Sequence, residues 1–355
     1  MQTDPVTTIM QITNAHVAAR CLQTIANLGV ADALGEAPKS AQALAEAAGV
    51  DADALNRVLR LLSSFGIFAQ SDGKYAHTDS SRLLRSDHPH SMRSFSRMIG
   101  LDFNWYSYGE LQYAITTGEP AGEKIIPGGF WKHLETDSET ARLFNEAMEG
   151  KSQSQIGPVL NACDFSPYRT IADIGGGKGH LLRAILAAHP GCEGVLFDRP
   201  HVVAEAPAAP RLRLQGGDFF KDRIPEAGAY ILADIIHDWN DSDSLAILEN
   251  IARSAQPGAR ILLVETLLPD DPGPHWAKVL DIHMMAFLGG RQRDRAEFEA
   301  LFNKTGFTLD RVIETGVPVS VVAGGWRRHA NRGPSPAPDR PPSRKRRKSH
   351  RRHAA

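Results

Sequence analysis

The chain has 355 residues, of which 42% are hydrophobic and 23% charged, proportions typical of a folded protein with one large core or two smaller ones. The first residues lack the basic and apolar regions of a signal peptide, and no apolar run approaches the roughly 20 residues of a membrane span. The three cysteines, Cys21, Cys163 and Cys192, form no CxxC pair, so we expect reduced thiols in a cytoplasmic protein.

The formal net charge of −1 hides an uneven distribution. Residues 326–355 carry 11 of the 40 Lys and Arg side chains but only one acid, Asp339, so the preceding part of the chain is acidic. An acidic body disfavours nucleic acid as a partner. The basic stretch SRKRRKSHRRH lies among prolines and lacks apolar periodicity. We therefore predict a disordered tail over 326–355, either a solvated extension or a segment that binds an anionic partner.

The N-terminal region is predicted to contain three helices followed by a hairpin. Apolar residues at helical spacing predict one amphipathic helix over 12–35. A second helix is expected to begin after Ser40, a suitable N-cap, and to stop at Gly49. A third starts near Asp53 and keeps its leucines on one face. Two short strand-like runs around Asp72–Gly73 then predict a β-hairpin.

This order of elements predicts a winged-helix-like domain over residues 1–84. Many winged helices bind DNA through the third helix. That helix offers only Arg57 and Arg60 here, and its start is acidic, with Asp51 and Asp53. Because phosphate contacts dominate nucleic-acid affinity, the pattern favours a dimerising or substrate-lid role over DNA binding.

Residues 85–160 are predicted to be mostly helical and unusually rich in aromatic side chains. Any one of these side chains is accounted for by core packing. As a group beside a cofactor domain, they also suit the wall of an aromatic substrate pocket. They are Phe103, Trp105, Tyr106, Tyr108, Phe130, Trp131 and Phe144.

Residues 161–325 alternate short β-rich runs with helical stretches, which predicts an α/β fold with a seven-stranded, doubly wound parallel sheet. The predicted strands are Thr170–Ile174, Gly194–Asp198, Arg211–Gly217, Ala229–Ile236, Arg260–Leu268, Thr308–Ile313 and Val319–Ala323. The last two flank TGVP, which is too short for a helical crossover, so that pair is predicted to be antiparallel. Ligands of such sheets bind at the carboxyl ends of the strands.

The first of these strands leads into a glycine-rich turn, IADIGGGKGH, with a helix expected to start near His180. Its residues Asp173, Gly175 and Gly177 are candidates for a cofactor site, because glycine lets the backbone approach a ligand closely. The dinucleotide fingerprint requires glycine at position 180, where this chain has histidine, so NAD is disfavoured.

Acids at the ends of the next two strands narrow the choice of ligand. Asp198, in LFDRPHV, is placed to accept both ribose hydroxyls. Asp218, in GGDFF, is placed to accept an adenine amino group while Phe219 covers the ring. Each acid alone is equally explained as a solvated strand end, but their common register with Asp173 favours an adenosine site. Adenosine without a phosphate cradle indicates S-adenosylmethionine.

A candidate base follows on the same edge. His237 closes the predicted fourth strand in ILADIIHDW, and Glu265 ends the fifth in ILLVETLLP. A carboxylate beside an imidazole fixes its tautomer and supports the imidazolium, as a general base and its orienting partner do. The pKa of a phenol is about 3.5 units higher than that of histidine, so proton transfer from the phenol to the imidazole is uphill by about 5 kcal/mol. Glu265 is expected to raise the pKa of the imidazole and so to reduce this difference. The remaining histidines, including His275 and His283, show no metal-ligand spacing, so no metal is expected.

Taken together, these motifs resemble the caffeate-type small-molecule O-methyltransferases of bacteria and plants over roughly residues 12–325. The motifs in family order are DIGGGKG, FDRPHV, GGDFF, HDW, VETLLP and GGRQR. The resemblance implies a Rossmann-like methyltransferase sheet and a homodimer formed through the N-terminal domain. It also implies metal-independent transfer of a methyl group from S-adenosylmethionine to a hydroxyl of a small aromatic or polyketide-type molecule, with S-adenosylhomocysteine as product.

The candidate site residues fall into three groups. The catalytic candidates are His237 as base, with Glu265 and Gln292 supporting it. The cofactor candidates are Asp173, Gly175, Gly177, Asp198, Arg199, Asp218, Phe219 and Ala233. The candidates for binding the methyl acceptor are Trp105, Phe144, Met148, Asp238 and Met284. The two methionines match methionines that line the substrate ring in the family.

Two positions depart from the family pattern. Ala233 stands where many relatives carry a lysine, and Gln292 stands where the family usually has a glutamate. Glutamine hydrogen-bonds the imidazole without a charge, so the base should be weaker than in relatives.

Two alternative functions stay open. In one, S-adenosylmethionine is a structural ligand and the site catalyses hydroxylation or decarboxylation. In the other, the chain is a non-enzymatic winged-helix regulator. The sequence does not specify the acceptor.

Overall fold

A computed structural model of the chain describes residues 4–326, and the predicted tail beyond lies outside the described residues. The N-terminal elements are α1 (Pro5–Leu28), α2 (Val30–Leu34), β1 (Lys39–Ser40), α3 (Ala41–Ala48), α4 (Ala52–Ser64), β2 (Phe68–Ser71) and β3 (Lys74–His77).

The helix boundaries of this domain follow from local capping. Ser40 caps α3 by accepting from the Ala43 N–H at 3.2 Å, and Gly49 ends it in the left-handed region, as predicted. The prediction of one helix over 12–35 was wrong. The chain instead starts a helix at Pro5 after an Asp4 cap and breaks it at Gly29, whose φ of 66° ends α1.

The predicted hairpin is confirmed, with one strand that the sequence did not reveal. Asp72 and Gly73 have φ values of 50° and 70°, the left-handed pair that a tight two-residue turn requires. The short strand β1 adds to the hairpin in the order β1-β3-β2. The four helices and this small sheet enclose their own apolar core, centred on Leu44, Leu59 and Tyr75.

The middle of the chain is helical, as predicted. It contains α5 (Asp79–Arg82), α6 (Arg93–Ile99), α7 (Asp102–Gly109), α8 (Leu111–Thr117), α9 (Ala121–Ile125), α10 (Gly129–Thr136) and α11 (Ser138–Ala162). The last of these is 25 residues long and contacts both the helical region and the C-terminal sheet domain. Within residues 4–326, no helix has the length and apolarity needed to cross a membrane.

The C-terminal elements form the predicted α/β domain. They are β4 (Thr170–Ile174), α12 (His180–Ala188), β5 (Glu193–Asp198), α13 (Pro200–Val203), β6 (Leu212–Gly216), β7 (Ala229–Ala233), α14 (Asp241–Ser254), β8 (Arg260–Glu265), α15 (Trp276–Phe287), α16 (Arg295–Thr305), β9 (Phe307–Glu314) and β10 (Ser320–Trp326).

The sheet has seven strands in the order β6-β5-β4-β7-β8-β10-β9. The first five are parallel, and β10 runs antiparallel to both β8 and β9, as expected from the short TGVP connection. Neighbouring residues alternate between two cores, with Ile171 and Ile231 on one face and Ala172 and Tyr230 on the other. Strand order reverses between β4 and β7, so a crevice opens at their carboxyl ends.

Three strands are shorter than predicted: β6 spans Leu212–Gly216, β8 ends at Glu265 and not at Leu268, and the change in β7 moves the histidine. β7 ends at Ala233, not Ile236, because Asp234 turns into the left-handed region with a φ of 53°. His237 therefore does not close a strand. It lies on a 3₁₀ turn, Ile236–Asp238, that follows the strand end.

Candidate active site

The glycine-rich turn after β4 forms a cradle at the strand ends. Gly175 and Gly177 have φ values of 72° and 60°. A Cβ on Gly175 would lie 2.6 Å from the Ile235 side chain, so the position requires glycine. The Gly177 N–H donates to Asp198 Oδ2 at 2.8 Å, and this bond ties the turn to the end of β5.

Asp173 lies beneath this cradle with an unsatisfied acceptor. The residue is buried, and its Oδ1 has no hydrogen-bond partner within residues 4–326. Burial, with the nearby charge of Asp198, raises the pKa of Asp173 to about 7. A buried acceptor without a donor in the chain is free to accept one from a ligand. The cradle thus fits S-adenosylmethionine, which carries hydrogen-bond donors on its ribose and its amino group.

The predicted adenine-side residues lie together at the ends of β5 and β6. Burial alone would raise the pKa of Asp218, but the N–H of Phe220 and the side chain of Lys221 outweigh it, and the pKa is lowered. Arg199 lies 3.8 Å from Asp218 and also pairs with Glu135 of α10. Arg199 therefore links the cofactor edge of the sheet to the helical region.

Two further cofactor candidates have simpler surroundings. Phe219 packs against Trp239 with ring centroids 5.8 Å apart in an edge-to-face arrangement. Ala233 lies at the end of β7, beside Val264 of β8 in the sheet register. Its methyl group brings no charge to this strand end.

The structure brings His237, Glu265 and Gln292 together. His237 Nδ1 lies 3.4 Å from Glu265 Oε2 and 2.9 Å from the Gln292 amide nitrogen. The other ring nitrogen, Nε2, lies 3.3 Å from Asp238 Oδ1. Glu265 Oε1 accepts from the Ile236 N–H at 2.8 Å, which fixes the carboxyl group under the histidine turn. Nδ1 thus lies next to Glu265 and Gln292, whereas Nε2 faces Asp238, one of the residues predicted to bind the methyl acceptor.

Burial has a larger effect on these groups than their pairing. It lowers the pKa of His237 to about 4, although the charge of Asp234 opposes it. Burial, followed by the charges of Asp234 and Asp238, raises the pKa of Glu265 to about 8. The expectation that Glu265 raises the imidazole pKa was therefore wrong, because desolvation disfavours the charged form of both partners.

Arg293 holds the histidine turn and was missed at the sequence level. Its buried guanidinium donates to the carbonyl oxygens of Ile236 at 3.0 Å and Trp239 at 2.9 Å. It also donates to Asp241 Oδ1 at 2.8 Å and to Ser244 Oγ at 3.1 Å. The residue lies in GGRQR, directly after Gln292, so the motif itself was the available signal. Arg293 fixes the backbone on both sides of His237.

Lys151 and Asp234 form a second group that the sequence did not reveal. Lys151 Nζ lies 2.9 Å from Asp234 Oδ1, and both side chains are mostly buried. Asp234, His237 and Glu265 also place one ligand atom each within 4.8 Å of one another. The ammonium of Lys151 already supplies a positive charge to this cluster, which disfavours a cation there.

Aromatic side chains from three helices form one wall beside this cluster. Phe144 of α11 packs on Phe130 and Trp131 with centroid separations of 5.3 and 5.8 Å. Trp131 stacks on Trp239, next to the histidine turn, at 6.2 Å and an interplanar angle of 18°. Phe103 of α7 reaches the same wall through Phe130. The predicted clustering of aromatics is confirmed for these side chains.

The remaining residues that were predicted to bind the methyl acceptor lie in different parts of the structure. Met284 is buried on α15, and Met148 packs at the edge of a small core containing Leu143 and Met98. Trp105 lies elsewhere: its indole N–H donates to Gln23 of α1 at 3.0 Å, so it belongs to the contact with the N-terminal domain. Its assignment to the acceptor wall is corrected, because Phe103, two residues earlier on α7, supplies that contact.

His283 adds a polar group near this wall. The Tyr108 hydroxyl lies 2.6 Å from His283 Nδ1, and the imidazole packs edge-to-face on Phe287 at 4.1 Å. Burial, followed by the charges of His237 and Lys151, lowers the pKa of His283 to about 3. His283 is therefore neutral, and Tyr108 can donate to it.

Comparison with family models identifies both parts of the chain. Residues 108–308 match the model of an O-methyltransferase domain, and residues 10–87 match that of an O-methyltransferase dimerisation domain. Among curated proteins, the chain is 37% identical over 322 residues to phenazine O-methyltransferase PhzM of Lysobacter antibioticus, which covers 88% of this chain and 94% of the relative. It is 34% identical over 325 residues to the mitomycin biosynthesis 6-O-methyltransferase of Streptomyces lavendulae, covering 89% and 93%.

Solved structures give the same result. The structure of LaPhzM superposes with a TM-score of 0.85 at 36% identity, covering 92% of this chain and 100% of that one. CalO1, a methyltransferase in calicheamicin biosynthesis solved with S-adenosylhomocysteine bound, superposes with a TM-score of 0.83 at 34% identity and the same coverage. The match spans both domains, and the neighbour holds the demethylated form of the expected cofactor.

Proposed function

This chain belongs to the O-methyltransferase family, and from that premise we propose that it methylates a hydroxyl of an aromatic small molecule with His237 as the general base. The protein is an S-adenosylmethionine-dependent enzyme, and its family needs no metal. The observation that carries the proposed base is its position: His237 Nδ1 lies 3.4 Å from Glu265 Oε2, an oxygen with no hydrogen-bond partner within the described residues, on the sheet edge that also carries the glycine cradle.

The cradle residues hold the cofactor in this proposal. Asp173 and Asp198 accept hydrogen bonds from it, and Gly175 leaves room for it beside Ile235. Phe219 supplies an apolar surface for the adenine ring, next to Asp218. When bound, S-adenosylmethionine supplies a sulfonium methyl group to the acceptor oxygen and leaves as S-adenosylhomocysteine.

The base function depends on which ring nitrogen of His237 carries the proton. Nε2 can take a proton only if Nδ1 holds the ring hydrogen. The Gln292 amide can turn either its donor or its acceptor end toward Nδ1, so it does not select the tautomer. The carboxylate of Glu265 can only accept, so its ionised form selects the competent one. We therefore assign the choice of tautomer to Glu265 and the ring orientation to Gln292.

The energetics favour an acidic acceptor. The pKa of His237 is about 4, and that of a simple phenol is about 10. Free proton transfer between them is uphill by about 8 kcal/mol. Alignment of the reacting atoms offsets part of this difference, and a hydroxyl more acidic than phenol reduces it directly. Hydroxyls on electron-poor rings, such as the phenazine on which the PhzM relative is named to act, have this property.

The aromatic wall indicates the shape of the acceptor. Phe144, Trp131 and Trp239 present ring faces and edges to a flat molecule, and Met284 adds a polarisable side chain. Asp238, close to Nε2 of His237, is placed to contact the reacting hydroxyl. An aromatic or polyketide-type acceptor fits this combination.

We further infer a homodimer in the cytoplasm. Apolar side chains of α1, including Val6, Ile9, Met10 and Ile12, are 61% to 71% exposed in the single chain. A contiguous apolar helix face of this kind needs a covering partner. The match of residues 10–87 to a dimerisation domain supports a second copy of the chain as that partner.

Incubation with cofactor labelled in its methyl group tests the proposed function. The panel is hydroxyphenazines, hydroxynaphthoates, flavonoids and simple phenols. We expect a product heavier by one methyl group together with S-adenosylhomocysteine. A product formed without S-adenosylhomocysteine would favour the structural-ligand alternative, which the named relatives do not support.

A further inference from the structure

The ammonium of Lys151 is the feature that the proposed chemistry leaves unused. Lys151 comes from α11, and Asp234 follows the end of β7 directly. Their side chains are 19% and 14% exposed, and the charged atoms lie 2.9 Å apart. The end of β7, where Ala233 carries no charge, thus has a cation next to it, the ammonium of Lys151. Burying an ammonium is costly unless it is paired, and Asp234 supplies that pairing.

Asp234 is held in place for this pairing. Its φ of 53° is a conformation that costs free energy in a non-glycine residue and persists only when its surroundings impose it. Burial alone would raise its pKa, but the charge of Lys151 and hydrogen bonds from Lys151 and Gln155 outweigh burial, and the pKa is lowered. Asp234 is therefore an ionised carboxylate that Lys151 and Gln155 approach from α11.

The helix positions Lys151 between the acceptor wall and the base. Phe144, Met148, Lys151 and Gln155 follow one another at the helical spacing of i, i+4, i+7 and i+11, so they share one face of α11. Phe144 contacts the aromatic wall, and Gln155 contacts Asp234 at the sheet edge. Lys151 lies between these two, so its ammonium stands where a flat molecule would extend from the wall toward His237.

Lys151 is the cation nearest to these site residues, and Asp234 balances its charge. The groups that interact electrostatically with it are Asp234, His237, Asp238, Glu265 and His283. Burial raises the pKa of Asp238 and Glu265 and lowers that of the two histidines, so Asp234 is the ionised partner below pH about 8, and Glu265 becomes a second one above it. Within the described residues, the ion-pair partner of the ammonium is Asp234, whose Oδ1 lies 2.9 Å from Nζ.

We propose that Lys151 is a specificity-determining residue that binds an anionic oxygen of the acceptor, with Asp234 holding the ammonium in place. The inference rests on the proposed function and extends it to the substrate class. The anionic oxygen belongs either to a carboxylate substituent or to the acceptor hydroxyl itself when it is acidic enough to ionise. In both cases a charge-assisted contact replaces the water that the anion loses on binding.

Three related acceptors test this proposal and separate the two sources of charge. They are 3-hydroxy-2-naphthoate, which carries a carboxylate, 2-hydroxy-1,4-naphthoquinone, which carries an acidic hydroxyl, and 2-naphthol, which is neutral. For Lys151→Met we expect kcat/KM to fall about 10- to 100-fold on an anionic acceptor and by less than about 3-fold on 2-naphthol. Lys124→Met is the matched control, because Lys124 pairs with Glu110 in an exposed position.

The double variant Lys151→Met with Asp234→Asn shows whether Lys151 binds the acceptor or only neutralises the charge of Asp234. If Lys151 only neutralises Asp234, removing both charges restores the rate on every acceptor, and the proposal fails. If Lys151 binds the acceptor, the loss on the anionic acceptor persists in the double variant. An equal loss on all three acceptors in Lys151→Met would also overturn the proposal.

Binding of the same acceptors to the complex with S-adenosylhomocysteine, measured by calorimetry, gives a readout without turnover. Weaker binding of the anionic acceptors alone by Lys151→Met supports the proposal. If the chain shows this selective binding and transfers no methyl group, the proposed function fails and the inference about Lys151 stands. If it methylates all three acceptors and Lys151→Met binds them as the unaltered chain does, the inference fails and the function stands.

Discussion

Gln292 Nε2 lies 2.9 Å from Nδ1 of His237, the ring nitrogen that faces away from Asp238. A glutamate at this position could only accept a hydrogen from the ring, whereas the amide can also donate to it. The ring orientation is therefore held by a residue that does not determine where the ring proton sits. Glu265 therefore selects the tautomer, whereas Gln292 orients the ring, and the two residues should differ in their effect on the rate.

Glu265→Gln should be more damaging than Gln292→Leu. Above pH about 8, where the carboxyl of Glu265 is ionised, the first change replaces an acceptor-only group with an amide that can stabilise the wrong tautomer, so we expect kcat/KM measured there to fall about 10²- to 10⁴-fold. The second removes one hydrogen bond and should cost about tenfold. Steady-state kinetics with labelled cofactor measure both. A larger loss for Gln292→Leu would contradict the assignment of the tautomer to Glu265.

His237→Ala should lose the chemical step and keep the cofactor. The polar partners of the imidazole are Asp238, Glu265 and Gln292, none of which belongs to the glycine cradle, so affinity for S-adenosylhomocysteine should be unchanged by calorimetry. Methyl transfer should fall about 10²- to 10⁴-fold, the usual contribution of a positioned base. His189→Ala, at the far end of α12, serves as control. A near-normal rate for His237→Ala would remove the base assignment.

The rate should rise with pH because Glu265 must lose its proton. Burial raises the pKa of Glu265 to about 8, and only the ionised carboxyl selects the competent tautomer. As pH increases through about 8, the competent form accumulates, so kcat/KM should increase toward a plateau above that value. Below it, the decrease should approach tenfold per pH unit, with an apparent pKa belonging to the Glu265–His237 pair.

A simple phenol, with a hydroxyl pKa of about 10, stays largely protonated up to about pH 9, so with this acceptor the increase in rate reports the enzyme and not ionisation of the acceptor. A profile that stays flat from about pH 6 to 9 would show that the carboxyl of Glu265 is already ionised, contrary to the effect of its burial.

Arg293→Met should destabilise the fold and displace the histidine turn. The change removes the shortest of the hydrogen bonds to the carbonyl oxygen of Ile236, the bond to that of Trp239 and the bridge to Asp241. We expect the free energy of unfolding to fall by about 2–4 kcal/mol, measured by denaturant titration. kcat should fall more than cofactor affinity, because the turn carries His237.

Arg291→Met is the matched control for that experiment. Arg291 lies two residues earlier, is about half exposed, and pairs with Glu297 at 2.6 Å. Exposed pairs contribute little, so its free energy of unfolding should change by less than about 1 kcal/mol. Equal effects of the two substitutions would show that the buried contacts of Arg293 do not hold the turn.

Substitution of Ile9 and Met10 by lysine should prevent dimer formation. Both side chains are more than 60% exposed on α1 in the single chain, so two charges there should not impair folding of the monomer. Light scattering coupled to size-exclusion chromatography is expected to give half the mass of the unaltered protein. Leu214→Ser, an exposed apolar position on the edge strand β6, should leave the mass unchanged.

Much of the architecture was available from local patterns. The seven strands were predicted within a few residues, because apolar runs of strand length alternate with helical periodicity and end at glycine or aspartate. The Ser40 cap, the Gly49 stop and the Asp72–Gly73 turn were predicted because each depends on one or two residues. The break at Gly29 was missed, because the apolar spacing continues through it and only the left-handed φ ends α1.

The sequence by itself determined the sheet, its cofactor edge and the order of the motifs, because these follow from periodicity and from the residues at strand ends. Only the tertiary structure decided the electrostatics of the site. Lys151 is 83 residues before Asp234, Arg293 is 56 after His237, and Trp105 turns to α1 rather than to the acceptor wall. Contacts between elements so far apart in the chain, and the burial that sets the pKa of His237 and Glu265, exist only once the helices pack on the sheet.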